Sequence, residues 1–223
     1  DVMLFDSTGK EVERLCFMRQ QREKEAVGGF HRCLADYVAP LSSGKKDWMG
    51  AFAVTMGDSV EKVARELEKK NDDYGALLVK ALGERLVEAL AELTHKKMRE
   101  HVGFGFTENL TVQDLIAEKY RGVRPAPGYP ACPDHHEKLK IWKLLDVDKT
   151  VGIHLTENFA MTPGSSVAGY YFFHPDSRYF HVGKVAEDQV QSLAARKGIS
   201  ADTLRKWLSN LAFYFAFLRR FLD

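Results

Sequence analysis

Between Arg124 and Glu137 the sequence RPAPGYPACPDHHE gathers a guanidinium, a phenol, a thiol, two carboxylates and two imidazoles. Cys132 with His135 has the residue types of a nucleophile and its base, but no orienting group or oxyanion loop accompanies them. Cys132, Asp134, His135 and His136 have the residue types of a metal site. A closed zinc site needs a second ligand pair at a comparable interval, and His31 with Cys33 lies about a hundred residues away, so no metal ligand is assigned. No catalytic residue is assigned either. The third chemistry is that of the backbone. Four of the chain's seven prolines fall in this stretch. They donate no N–H and drive Arg124, Ala126, Tyr129 and Cys132 into extended conformations. The carbonyls are therefore expected to stay open to a ligand or a neighbouring strand, with Gly128 allowing close approach or a positive φ and Tyr129 adding an aromatic face. Arg124 is either a binding residue or a structural bridge to Asp36 or Glu118.

Two further places carry candidate chemistry. Lys80, Glu84, Glu88, Glu92 and Lys96 recur at intervals of four on a helical pattern and share one edge. Glu84 is expected to pair with Lys80 and Glu92 with Lys96. Glu88 has a like charge one turn away on each side, so it is either a solvated glutamate or one that faces a cation. Tyr179 and Phe180 are adjacent in a strand-like run and point to opposite faces, which puts at least one of them in the core.

The elements that must position these residues read as a mixed α+β fold. Val2 to Phe5 and Val12 to Met18 form a hairpin around Asp6-Ser-Thr-Gly9. Leu34 to Pro40 reads as a short extended piece, and Trp48 to Met56 as a buried central strand whose Gly50 and Ala51 admit another backbone. Ser59 opens a helix to Lys70 with Val60, Val63, Ala64 and Leu67 inward. The core helix spans about Asp73 to His101, with Leu77, Leu78, Ala81, Leu82, Leu86, Ala89, Leu90 and Leu93 as its inner stripe. Thr111 with Asp114 opens a helix to about Tyr120, and Asp134 with Glu137 a capping box for the run to Leu145. Gly152 to Met161, Val167 to Phe173 and Tyr179 to Val185 are read as an antiparallel meander. Asp188 to Lys197 is a helix stopped by Gly198, and Ser200 caps the next through Leu208. The resulting expectation is a single domain over 1–223, a twisted antiparallel β-sheet with several flanking helices.

Composition narrows the function classes. A formal net charge of +1 with no block of Lys and Arg argues against a nucleic-acid partner. Cys16, Cys33 and Cys132 are few, odd in number and widely spaced, which suits a reducing compartment, with the cytoplasm as the default. The apolar tail Leu211 to Leu222 is too short to span a bilayer and is interrupted by Arg219-Arg220, so a docked terminal helix and no membrane partner are expected. The chain begins at Asp1 without an initiating Met or a targeting pattern, and reads as a piece of a longer protein.

The run from Arg124 to Lys138 resembles the signature of the S-adenosylmethionine-binding activation domain of cobalamin-dependent methionine synthase. The likeness continues upstream in Leu15 to Glu25, Leu34 to Pro40, Gly50 to Thr55, Asp72-Asp73-Tyr74 and Val79 to Leu82. Downstream it includes Leu155-Thr156-Glu157, Tyr171-Phe172, His174-Pro175, Tyr179-Phe180, Val182-Gly183-Lys184 and Arg196-Lys197-Gly198. The tail departs from the family pattern, and the family extends further upstream, where some ligand contacts reside. The resemblance implies that Arg124, Ala126, Gly128, Tyr129, Tyr179 and Phe180 fall on ligand-binding positions, that Glu88 belongs to the S-adenosylmethionine site, and that His135 lies on the loop facing the corrin. Arg124 suits a two-pronged contact with the ligand carboxylate, Glu88 its ammonium, and the aromatic rings its sulfonium and adenine. Glu84 is expected to meet the displaced lower-ligand histidine of the cobalamin-binding domain. The implied cofactors are S-adenosylmethionine and cobalamin, and the implied partners are that neighbouring domain and a flavodoxin-like or diflavin reductase. The implied function is placement of a methyl donor for reductive remethylation of cob(II)alamin. A stand-alone thiol enzyme or hydrolase using Cys132 and His135, and a docking-only module, are the alternatives.

Overall fold

The computed structural model describes residues 1–21 and 29–209. Part of the Arg19 to Lys24 charged run, Gly28 and the apolar tail Leu211 to Leu222 lie outside the described residues. The chain divides into two compact units. One contains Asp1–Trp48, Pro125–Lys140 and the segment from Arg178 onward; the other contains Met49–Arg124 and Ile141–Ser177.

The first unit opens with the expected hairpin. Strands β1 (Val2–Phe5) and β2 (Glu11–Leu15) pair antiparallel with Val2 opposite Leu15. Its turn is closed by Asp6, whose Oδ1 accepts from the Thr8 and Lys10 amides at 2.9 and 3.1 Å. β2 stops short of Met18. Cys16, Phe17 and Met18 are buried, and the Phe17 carbonyl accepts from Arg196 Nη2 at 3.1 Å instead of a ladder partner. Leu34–Tyr37 is a 3₁₀ turn, not an extended piece, because the Asp36 carboxylate folds back to accept from the Cys33 amide at 2.9 Å and is held there by Arg19.

Tyr179 to Val185 forms no strand in the structure. Its backbone bonds are single ones, from Val182 N–H to the Pro130 carbonyl at 2.9 Å and from Gln21 N–H to the Val182 carbonyl at 2.6 Å. Helix α6 (Glu187–Lys197) ends at Gly198 with φ 67°, and α7 (Ala201–Ser209) is capped by Ser200 Oγ, which accepts from the Thr203 amide at 3.1 Å. Both caps are as the sequence predicts. Val190, Leu193 and Ala194 form the buried face of α6.

The second unit is built on β3 (Gly50–Thr55) paired antiparallel with β6 (Ser166–Tyr171), Gly50 opposite Tyr171. The small residues of β3 are needed here: a Cβ on Gly50 would stand 2.9 Å from Tyr171 Cδ2. β4 (His154–Leu155) and β5 (Met161–Thr162) form a separate two-residue ladder. The antiparallel pairing is as expected, but the meander is replaced by three separate pairs among the described residues, with β6 returning to a strand more than a hundred positions earlier.

Helices α1 (Ser59–Glu68), α2 (Asp73–His101) and the short α3 (Val112–Ile116) follow β3, and α4 (Lys138–Leu145) and α5 (Val147–Thr150) precede β4. The predicted Thr111/Asp114 capping box is present, though α3 ends at Ile116, well before Tyr120. At α4 half of the predicted box forms: Asp134 Oδ1 accepts from the His136 amide at 2.9 Å, whereas Glu137 turns to Lys140 and Lys197.

The face that α2 buries is a correction to its leucine stripe. Ala76, Gly83, Val87, Ala91, His95 and Arg99 are buried, while Leu77, Leu78, Leu82, Leu86 and Leu93 are exposed. Both rows have helical periodicity. Contact distance selects between them: a Cβ on Gly83 would lie 2.8 Å from Val60 Cγ1, so α1 approaches only where α2 has no side chain. On the inner face of α1, Ala64 is buried, but Val63 is exposed. Ala91 packs on Phe52 and Tyr171, whose rings stack at 4.7 Å. A buried polar row on α2 results.

Candidate ligand-binding site

Arg124 ends the second unit at the threshold of the proline loop. Its Nη1 donates to Glu92 Oε2 at 2.8 Å and lies 3.4 Å from His95 Nδ1. The expected bridge to Asp36 or Glu118 does not form: Asp36 is paired with Arg19, and the chain turns away at Glu118 with φ 51°. Nor do the expected ladder pairs on α2. Lys80 pairs with Glu68 at 2.7 Å, Lys96 meets Glu100 at 3.9 Å and Glu92 turns to Arg124, so Glu84 loses its expected partner; Glu84 and Glu88 are both exposed. Burial works against the Arg124 charge, but the Glu92 carboxylate outweighs it and Glu88 adds a smaller contribution, so the guanidinium pKa is raised.

The surroundings of this pair are unusually polar for a buried region. His95 stacks on Tyr171 at 4.9 Å and meets Tyr120 edge-on at 4.9 Å. Burial, with Arg99 and Arg124 nearby, pushes its pKa down to about 2, so the ring is neutral. Burial likewise pushes Tyr120 up to about 12. Arg99 places its Cζ 4.2 Å over the Tyr120 ring and binds Glu108 through Nε at 2.9 Å. Glu92 Oε1, His95 Nε2, Tyr171 Oη and both terminal nitrogens of Arg99 are buried without a hydrogen-bond partner among the described residues. Sequence reasoning missed Glu92 and His95 as Arg124 partners. Their signal was the spacing of Glu92, His95 and Arg99 along one helical row, obscured by the more conspicuous leucines beside it.

In the first unit the proline loop folds partly on itself, while the carbonyls of Pro125, Pro127 and Gly128 accept no hydrogen bond among the described residues, in line with the expected open carbonyls. Gly128 N–H donates to the Cys132 carbonyl at 2.7 Å, Cys132 N–H to the Tyr129 carbonyl at 2.9 Å and Tyr129 N–H to the Ala126 carbonyl at 3.2 Å. The Pro130 carbonyl is taken by Val182. The Ala126 N–H likewise has no partner among the described residues, and the Tyr129 side chain is exposed. Gly128 has φ 95°, and a Cβ there would stand 2.5 Å from His135 Nδ1, so the imidazole lies against the glycine. Lys138 Nζ is 3.0 Å from His135 Nδ1. Burial, then Lys138, lowers the His135 pKa to about 4 against a smaller opposing effect of Asp134, and burial lowers Lys138 to about 8.

Tyr179 and Phe180 divide between surface and core. Phe180 is buried edge-on to Tyr37 at 6.5 Å, whereas Tyr179 is exposed beside His181. The loop is fastened beneath by Lys197, whose ammonium sits between Asp134 and Glu137, and by His136 stacked on Trp207 at 4.0 Å. Cys132 is buried, and burial with Glu137 and Asp134 nearby pushes its thiol well above the ordinary range, opposite to what a nucleophile needs. Among the described residues no three His, Cys, Asp or Glu side chains group as metal ligands would, and no helix is long and apolar enough to cross a membrane.

The chemistry of Arg124 suits a carboxylate. Its Nε and Nη2 have no partner among the described residues, giving one two-pronged edge. The fold and these groups define a mixed α+β binding domain. Residues 1–198 match the family described as vitamin B12 dependent methionine synthase, activation domain, and the chain belongs to that family. The crystal structure of the MetH reactivation domain bound to AdoHcy is similar, with 48% sequence identity and a TM-score of 0.87. The match covers 93% of this chain and 64% of that one, so this chain spans somewhat less than two thirds of the length of that relative.

Proposed function

We propose that this chain binds S-adenosylmethionine and holds it for the reductive remethylation of cob(II)alamin, restoring a cobalamin-dependent methionine synthase to activity. The observation that carries this reading is the Nε and Nη2 edge of Arg124, a two-pronged carboxylate receptor. The AdoHcy named for the similar reactivation domain has the same amino-acid end. Arg124 takes the ligand carboxylate and Glu88 its ammonium. Ala126 offers a backbone donor, Gly128 permits close approach, and Tyr129, Tyr179 and Phe180 supply aromatic surface, Phe180 from the core side. His135, held neutral against Gly128, lies on the loop assigned to the corrin face. When bound, S-adenosylmethionine supplies a sulfonium methyl group, and the work of this chain is orientation and water exclusion without a protein nucleophile.

The domain, taken over 1–223, acts inside a methyltransferase that carries methyl groups from methyltetrahydrofolate to homocysteine. Its partners are the cobalamin-binding domain of the same enzyme and a flavodoxin-like or diflavin reductase, in the cytoplasm. Calorimetric titration of the chain with S-adenosylmethionine, alongside Arg124→Ala, tests the reading. Saturable binding by the wild type that the variant loses by tenfold or more, about 1.4 kcal/mol, is expected. A folded wild type that does not bind overturns it for this chain.

A further inference from the structure

A guanidinium carries five N–H donors in one plane and accepts nothing. In Arg124, Nη1 has two of the five. One is used on Glu92 Oε2 at 2.8 Å. The other is directed at His95 Nδ1, 3.4 Å away, and this contact is a hydrogen bond only when Nδ1 is bare and the ring proton sits on Nε2. Both partners are themselves held. His95 is completely buried, stacked on Tyr171 with its plane 6° from parallel and met edge-on by Tyr120. Glu92 Oε2 also receives the Tyr120 hydroxyl at 3.5 Å. In that tautomer both N–H groups of Nη1 are engaged, which opposes rotation of the guanidinium plane and keeps Nε–H and one Nη2–H parallel on the opposite edge.

We propose that Glu92 and His95 are positioning residues for the ligand carboxylate: together they saturate Nη1 of Arg124 and so aim its Nε and Nη2 edge. This rests on the reading that Arg124 binds the amino-acid end of the ligand. Glu92 acts here as an acceptor of fixed position, not as a charge, because a carboxylate beside Arg124 does nothing electrostatic to attract a second one. A neutral acceptor in the same place therefore serves as well.

The test is calorimetric titration with two probes, S-adenosylhomocysteine and 5′-methylthioadenosine, which lacks the amino-acid end. Glu92→Leu and His95→Phe are expected to weaken S-adenosylhomocysteine about tenfold or more while leaving methylthioadenosine within twofold. Glu92→Gln and His95→Asn, which restore an acceptor near the original atom, are expected to recover most of the loss. In an Arg124→Ala background, Glu92→Leu is expected to change nothing further. If Glu92→Leu does not fold by circular dichroism, Glu92→Asp, with the same charge and a shorter reach, is expected to weaken only S-adenosylhomocysteine. Equal weakening of both probes, or an undiminished effect in the Arg124→Ala background, overturns positioning and leaves a structural role. Binding by the wild type that Arg124→Ala does not weaken, or no binding at all, overturns instead the functional reading beneath it.

Discussion

Gly128 and His135 are in direct contact, with the imidazole occupying the space where any side chain at position 128 would begin. A Cβ would lie 2.5 Å from Nδ1 and 2.9 Å from Nε2, and the backbone there has φ 95°. Gly128→Ala is therefore strained twice, by φ and by overlap. It is expected to cost about 1–3 kcal/mol of stability and to displace His135. Urea unfolding measures the first effect, and the shift of the His135 ring resonances the second. A fully stable variant with unmoved resonances would contradict the contact.

Lys197 holds the underside of the same loop. Its ammonium is buried between Asp134 and Glu137, 2.6 Å from Asp134 Oδ2, and its pKa is raised because the two carboxylates outweigh the cost of burial. Lys197→Met strands Asp134, while Glu137 keeps Lys140 at 2.9 Å. A loss of about 3–5 kcal/mol is expected in denaturant titration, the amount typical of removing one member of a buried pair. Replacing Lys149, whose pair with Asp146 is exposed, is expected to cost less than about 1 kcal/mol.

Acid sensitivity is expected to begin in the histidine range. The folded pKa values of His95 and His135 are lowered, to about 2 and about 4, and that of His136 is lowered too, all with burial as the leading cause. A histidine with a lowered folded pKa binds more protons unfolded than folded, so stability rises with pH across the gap. The histidine contribution is thus complete above about pH 6.5 and falls as pH drops from there toward 4. Asp36 and Asp114, with lowered folded pKa values, add their losses only below about pH 4. Urea midpoints from pH 8 to 4.5 check this. A flat profile down to pH 5 would count against neutral buried imidazoles, and His135→Asn is expected to make the upper slope shallower.

Cys132 contributes its carbonyl, not its thiol. The side chain is buried with a raised pKa, while the carbonyl accepts from Gly128 at 2.7 Å. Alkylation of Cys132 in the native chain is expected to be far slower than in urea, followed residue by residue by mass spectrometry. Cys132→Ser is expected to keep ligand affinity within about threefold, since the backbone bond survives. Loss of binding with the fold intact would restore the thiol to consideration.

Residue types on adjacent positions determined much of the local geometry. Ser200 and Thr111 cap helices, Gly198 stops one, Asp6 closes the hairpin turn, and Gly128 takes a positive φ, because each involves atoms within a few bonds of one another. The run from Arg124 to Lys138, with its flanking segments, was enough to point to the family. Tertiary structure decided what lies across space. Two periodic rows on α2 competed for burial, and the smaller one won because α1 approaches closely only over Gly83 while Phe52 and Tyr171 pack on Ala91. β6 took β3 as its partner, not its neighbours in sequence. Phe180, not Tyr179, went inside. Arg124 found Glu92 and His95 for the same reason: periodicity names a helix's faces, but only packing selects the buried one, and with it the polar groups left to meet a guanidinium.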